Sequence, residues 1–151
     1  MLQVIIRGAV EKDLEALYEI ETLSFKDPYP LGYVRALYDL NHQTFLVAEK
    51  DGRPVGYVIA ARDLEYGHIF SIAVHPSERE KGIGTRLVTE VLKILKSLGV
   101  TTVRLEVRKS NTSAQRFYEG LGFKYSHTVK GYYVDEDGLV YYNTPNRRAT
   151  S

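Results

Sequence analysis

The chain has 151 residues, 44% of them hydrophobic and 26% charged, with a formal net charge of +1. That length suits one domain with a core of its own, and that composition excludes a disordered chain. The near-zero charge offers no field to draw in a nucleic acid or an anionic membrane, and the absence of cysteine excludes disulfides, cysteine-ligated metals and a thiol nucleophile.

Residues 3–8 (QVIIRG) read as a first strand. Over 11–24, Leu14, Leu17, Tyr18 and Glu21 recur at helical spacing, with Glu21 a charged member of an apolar stripe. Residues 26–30 (KDPYP) form a loop, and Pro30 is placed to open a second helix running to Leu40. Two strands, TFLVAEK and PVGYVIAARDL, flank Asp51-Gly52, a strong hairpin signal. A turn around Tyr66-Gly67 leads into a fourth strand, HIFSIAVH.

Residues 82–98 form the clearest helix, with Ile83, Leu87, Val91, Leu95 and Leu98 in register and Gly99 where a C-terminal cap belongs. The segment TTVRLEVRK then alternates, setting Val103, Leu105 and Val107 on one face and Arg104, Glu106 and Arg108 on the other. Ser110 or Asn111 caps a further helix striped by Ala114, Phe117, Tyr118 and Leu121 and closed by Gly122. Strands follow at 123–130 and 138–143, and the polar tail 144–151 is expected to fray. The order β-α-α-β-β-β-α-β-α-β-β describes one mixed sheet with helices on both faces, a single domain over 1–143.

The segment Arg79-Glu80-Lys81-Gly82-Ile83-Gly84-Thr85 follows a strand and opens the long helix. A helix N-terminus offers unpaired N–H groups and partial positive charge, so it suits a phosphate. Gly82 and Gly84 clear the approach, and Arg79 and Lys81 add cationic donors. The same glycines also fit a turn that merely starts a helix. The segment is neither a Walker loop nor a dinucleotide fingerprint.

Two further motifs flank it: His68-Ile-Phe-Ser-Ile-Ala-Val74 before and Asn111-Thr-Ser-Ala-Gln-Arg-Phe-Tyr118-Glu-Gly-Leu-Gly-Phe123 after. With the loop, these resemble the GNAT N-acetyltransferase superfamily over nearly the whole chain. Leu105-Glu106-Val107-Arg108, Ser110-Asn111 and Tyr132-Tyr133 resemble its RimI-like branch of N-terminal protein acetyltransferases. The resemblance implies an α/β (α+β) fold. Its sheet is mostly antiparallel, of six to seven strands, with about four helices on both faces and a splay between strands 4 and 5.

It also implies an acetyl-CoA-dependent enzyme with no metal. The CoA pyrophosphate would sit on Glu80, Lys81, Gly82, Ile83, Gly84 and Thr85, helped by Arg79. The pantetheine arm would pair with Ile72, Ala73 and Val74 and bond Asn111. Val74 N–H would face the thioester carbonyl as an oxyanion donor. Tyr118 matches the acid that protonates the leaving thiolate, although its spacing alone fits the apolar stripe. Glu106 matches the general base, although an ion-paired strand glutamate reads the same way. Asp27 is placed to hold the ammonium or assist as base, although a loop-surface aspartate reads the same way; Glu21 is either a second candidate base or a helix residue that tertiary packing satisfies, and Tyr29, Tyr132 and Tyr133 are placed to wall the acceptor entrance. The ending Gly-Leu-Val-Tyr-Tyr departs from the branch pattern, which touches the acceptor assignment.

The implied acceptor is a protein N-terminus. An α-amine of pKa ~7.8 is about 14% neutral at pH 7, whereas a lysine is neutral in about one molecule in 2,500. Lysine side chains, small amines and a non-catalytic CoA sensor are the alternatives. His42, His68, His75 and His127 show no ligand spacing, and His68 is assigned to packing. The first residues lack a leader pattern and no apolar run approaches ~20 residues, so a soluble cytoplasmic monomer or weak homodimer is expected, without nucleic-acid or membrane partners.

Overall fold

The computed structural model describes residues 3–145. The expected fraying of the tail beyond 145 lies outside the described residues. Seven strands form one sheet: β1 (Val4–Gly8), β2 (Phe45–Lys50), β3 (Arg53–Asp63), β4 (Tyr66–Val74), β5 (Thr102–Arg108), β6 (Lys124–Val129) and β7 (Gly138–Asn143). Their order is β1-β2-β3-β4-β5-β7-β6, antiparallel except where β4 meets β5. Four helices complete the domain: α1 (Leu14–Ser24), α2 (Leu31–Leu40), α3 (Ile83–Ser97) and α4 (Thr112–Gly120).

The strand and helix order expected from periodicity is the order observed. Boundaries moved for local reasons. Residues 11–13 form a 3-10 turn before α1. Pro30 stands as the N-cap of α2, extended at ψ 150, rather than inside its first turn. The β3–β4 turn falls at Leu64-Glu65, not Tyr66-Gly67, with Leu64 at φ 55. Tyr66 and Gly67 instead pair within β4.

The sheet separates two cores. On one face Leu14, Leu17, Ile20, Val34 and Leu37 of α1 and α2 pack on Phe45, Val47, Tyr57 and Ile59. On the other face Ile83, Leu87, Val88, Val91 and Leu95 of α3 join Val103, Leu105, Tyr118 and Phe123. A fully buried aliphatic side chain contributes roughly 1.5–3 kcal/mol, so α3 is anchored by its five buried positions.

Two glycine caps place the chain that follows each helix. Gly99 (φ 88) ends α3, with Val100 N–H donating to Leu95 O (3.0 Å) and Gly99 N–H to Lys96 O (3.0 Å). Gly122 (φ 93) ends α4 the same way, with Phe123 N–H on Tyr118 O (3.0 Å) and Gly122 N–H on Glu119 O (3.1 Å). Both are Schellman motifs, which require a left-handed residue. The second brings Phe123 onto Tyr118, ring centroids 5.7 Å apart. Gly122→Ala is expected to cost about 1–2 kcal/mol, the left-handed penalty of a side chain. Urea unfolding measures it.

Candidate active site

A β-bulge opens the site. Ile59 pairs with Ser71 and Ala60 with Ile69, leaving Phe70 as the extra residue of β4. A bulge bends its strand. β4 pairs with β5 only at Tyr66, Gly67 and His68, against Thr102, Val103 and Arg104. Beyond His68 the two strands part, as the expected splay requires.

Backbone parity shows what β4 offers to the gap. His75 N–H donates to Val55 O (2.8 Å), so position 75 faces β3. Alternate residues face opposite ways, and the amide groups of Val74 and Ile72 therefore face the gap. The Val74 carbonyl accepts from Arg79 Nε (2.9 Å), which confirms its direction. Ala73 faces β3, so its backbone is not open to a pantetheine arm; of the three expected positions only Ile72 and Val74 face the gap, with the Val74 carbonyl held by Arg79.

At the gap's end lies the start of α3. Gly82 (φ 82) is its N-cap, without a side-chain cap, and Glu80 also has positive φ (63). The first intrahelical donor is Arg86, on Gly82 O (3.1 Å). The N–H groups of Ile83, Gly84 and Thr85 meet no acceptor among the described residues. A Cβ on Gly82 would point into open space, whereas one on Gly84 would meet the Phe117 ring at 3.3 Å. Gly84 therefore lets α3 approach α4 closely, and Gly82 leaves clear space before three unpaired donors. That cradle fits the pyrophosphate of CoA.

The flanking cations are turned elsewhere. Arg79 bridges Val74 O and Ser24 Oγ (3.0 Å), and Lys81 Nζ sits on Glu78 (3.0 Å), which also holds Lys50 (2.8 Å). Asn111 caps α4, its Oδ1 accepting from Ala114 N–H (3.1 Å), which leaves its Nδ2 as a donor.

On the acceptor side Glu106 is the hub. Its Oε1 lies 2.7 Å from His68 Nε2 and accepts from Tyr132 Oη (3.1 Å), and its Oε2 accepts from Arg104 Nε (2.7 Å). Burial pushes the Glu106 carboxyl up, but bonds from His68, Arg104 and Tyr132 outweigh burial and hold it at about 2. His68, assigned to packing by its sequence context, is thus a hydrogen-bond partner of Glu106. With Nε2–H on Glu106, the imidazole lone pair lies on Nδ1, which bonds to no described residue.

In the unfolded chain the Glu106 carboxyl returns to its ordinary value of 4.5. Between that value and about 2 the unfolded chain binds the extra proton, so the contribution is full above 4.5 and is lost as pH falls toward 2. After screening it amounts to about 1–2 kcal/mol. E106Q is expected to fall below wild type by that amount at pH 7 and to converge on it at low pH. Urea unfolding at stepped pH checks this.

Tyr118 is 8% exposed and packs on Phe117 and Phe123. Its hydroxyl bonds to no described residue, yet no buried side-chain oxygen or nitrogen among them lacks a partner. The hydroxyl therefore keeps some exposure to solvent. Burial, and then the Tyr133 phenol, push its pKa above the ordinary value, so it stays protonated.

Two loops carry the tyrosines expected at the acceptor entrance, of which Tyr132 lines the cavity beside Glu106. Tyr29, in the α1–α2 loop, packs its ring tilted against Tyr33, centroids 4.9 Å apart, and donates to Phe70 O (3.4 Å). Tyr132 and Tyr133 precede β7, their rings 4.9 Å apart. Burial first, and the Glu106 charge second, raise both to about 12. Arg108 ties the loops together: it bonds Asp27 (2.7 Å), Asp135 (2.7 Å) and Glu136 (3.1 Å) and lies 4.3 Å over Tyr133. Asp27 is therefore paired with Arg108, which any ammonium must displace. A cavity of about 590 Å³ extends from His68 and Glu106 toward Tyr66, Arg104 and Tyr142. Among the described residues no cluster of His, Asp or Glu could hold a metal, and no helix is long and apolar enough to cross a membrane.

A strand with an unpaired edge suits a donor arm of amides, and a carboxylate bonded to an imidazole beside it suits proton transfer. Together they define a group-transfer enzyme. Residues 14–123 match the model of the acetyltransferase (GNAT) family. An uncharacterized N-acetyltransferase of Methanocaldococcus jannaschii is 39% identical over 91% of this chain and 89% of its own length. The [ribosomal protein bS18]-alanine N-acetyltransferase of Haemophilus ducreyi is 31% identical over 88% and 91%. The crystal structure of Ard1 from Thermoplasma volcanium superposes with a TM-score of 0.90 at 27% identity, over 93% of this chain and 97% of that one. The chain belongs to the GNAT acetyltransferase family and is an N-acetyltransferase.

Proposed function

We propose that this enzyme transfers the acetyl group of acetyl-CoA to the α-amine of a protein N-terminus. The observation that carries the reading is the Glu106–His68 pair, set where β4 and β5 part and heading a walled cavity. Donor groups lie along the open edge beyond it, and the cavity receives the acceptor chain. The similarity to a relative named for alanine of ribosomal protein bS18 supports the same acceptor class.

Acetyl-CoA supplies the thioester that is attacked. The α3 N-terminus binds its pyrophosphate, Ile72 and Val74 hold the arm, and Asn111 Nδ2 adds a donor. Val74 N–H stabilises negative charge on the carbonyl oxygen. His68 Nδ1 takes the amine proton, directly or through water, while Glu106 holds the resulting imidazolium. Tyr118 returns a proton to the leaving thiolate. With no cysteine in the chain, no acyl-cysteine forms and transfer is direct.

A peptide panel tests the acceptor. It varies the first residue, pairs free with blocked α-amines, and includes internal lysines and small amines. Thiol release and mass mapping read the products. Acetyl on free α-amines is the expected result. Acetyl confined to lysine or to small amines overturns it.

A further inference from the structure

Glu21 is a buried carboxylate, 3% exposed, in the last turns of α1. Three segments donate to it. Tyr57 Oη of β3 and Ser71 Oγ of β4 (2.9 Å) bond its Oε1, and the Tyr29 backbone N–H (3.0 Å) bonds its Oε2. Tyr57 and Ser71 also lie 3.3 Å apart. A buried polar group must find hydrogen-bond partners, and here they come from three separate segments. Ser71 adjoins the Phe70 bulge that opens the sheet. Tyr29 walls the acceptor entrance, and its hydroxyl reaches the carbonyl of Phe70 itself. One carboxylate thus joins the acceptor loop to the strand that carries the donor edge.

We propose that Glu21 is a positioning residue for acetyl transfer, fixing Tyr29 and the β4 bulge in one register. It rests on the acceptor reading above. Glu21 touches no reacting atom in this role and transfers no proton. Its work is geometric, and an amide can do it. In E21Q the Oε1 still accepts from Tyr29 N–H, while Nε2 donates to Tyr57 and Ser71, whose hydroxyls rotate to accept. In E21A the Tyr29 N–H loses its acceptor and the loop comes free.

The experiment compares wild type, E21Q, E21A and Leu37→Ala in the full chain. Leu37 lies in the same core, away from the site, and reports a purely structural loss. Thermal unfolding, KM for acceptor peptide, KM for acetyl-CoA, kcat and amide exchange at Tyr29 are measured. E21A is expected to raise the acceptor KM about tenfold with the acetyl-CoA KM within about twofold. Its Tyr29 amide should exchange at least about tenfold faster in the free protein. E21Q should restore each value to within about threefold of wild type.

If E21A merely matches Leu37→Ala, with lowered Tm and an unmoved acceptor KM, the role is refuted. A loss of about 100-fold in kcat for E21Q, with Tyr29 still protected, makes Glu21 a proton carrier and also refutes it. If E21A does not fold, Ser71→Ala carries the same split at about two- to threefold, and a flat acceptor KM there is equally fatal. Wild type that leaves peptide α-amines untouched defeats the acceptor reading, and this proposal with it, before any variant is made.

Discussion

Tyr118→Phe is expected to lower kcat by about 10²–10⁴-fold while leaving the fold and the KM for acetyl-CoA nearly unchanged. The hydroxyl is the only atom removed. It bonds to no described residue, so no partner is stranded, and the ring keeps its contacts with Phe117 and Phe123. A Tyr whose role was packing would lose almost nothing on this change. One that donates a proton loses its function outright. The raised pKa, set by burial, keeps the donor charged with its proton across the working range. Thiol-release kinetics decide the matter, with acetyl-CoA binding measured separately. A donor ester with a better leaving group than an alkyl thiolate should recover much of the loss, because departure then needs less protonation. A kcat within about threefold of wild type would remove Tyr118 from the chemistry.

The parts of this fold that were legible in the sequence are those set by short-range spacing. Gly99 and Gly122 stand where a left-handed cap is required, and the stripes of α3 and α4 follow from helical period alone. Gly67 looks like a turn residue, which draws the expected β3–β4 turn to Tyr66-Gly67. Leu64 in fact takes the positive φ, and Gly67 packs tightly within β4, where a Cβ would meet Val100 at 3.3 Å. Parity within β4 was invisible without its register against β3, so Ala73 entered the donor edge on motif alone.

Long-range partners were the least legible. His68 and Glu106 are 38 positions apart, and Glu21 draws donors from 36 and 50 positions away. Nothing local marks such pairings. Glu21 did leave a trace, a charged residue in an apolar stripe. Such a residue must find buried donors, and three were found. Arg108 left one too, facing the same way as Glu106 on β5, although its clasp on Asp27, Asp135 and Glu136 needed the loops in place.

The Glu106–His68 pair supplies the second large effect, and a double-mutant cycle exposes how it works. Glu106, held at about 2, is a poor proton acceptor by itself. Taking a proton from an α-ammonium of pKa ~7.8 would run against a factor on the order of 10⁵–10⁶. An imidazole is the side chain suited to exchange protons near neutral pH, and the 2.7 Å contact lets the carboxylate hold it in one tautomer. E106Q and H68Q are each expected to lower kcat by about 10²–10³-fold. The Gln at 68 can still donate to Glu106 but cannot carry a proton. If the two residues act as a unit, the double variant should be no worse than the slower single variant by more than about threefold. Losses that multiply would mean two independent contributions, with Glu106 acting through water on its own. A nearly silent H68Q beside a crippled E106Q would return His68 to packing against Phe70, its ring centroid 4.3 Å away.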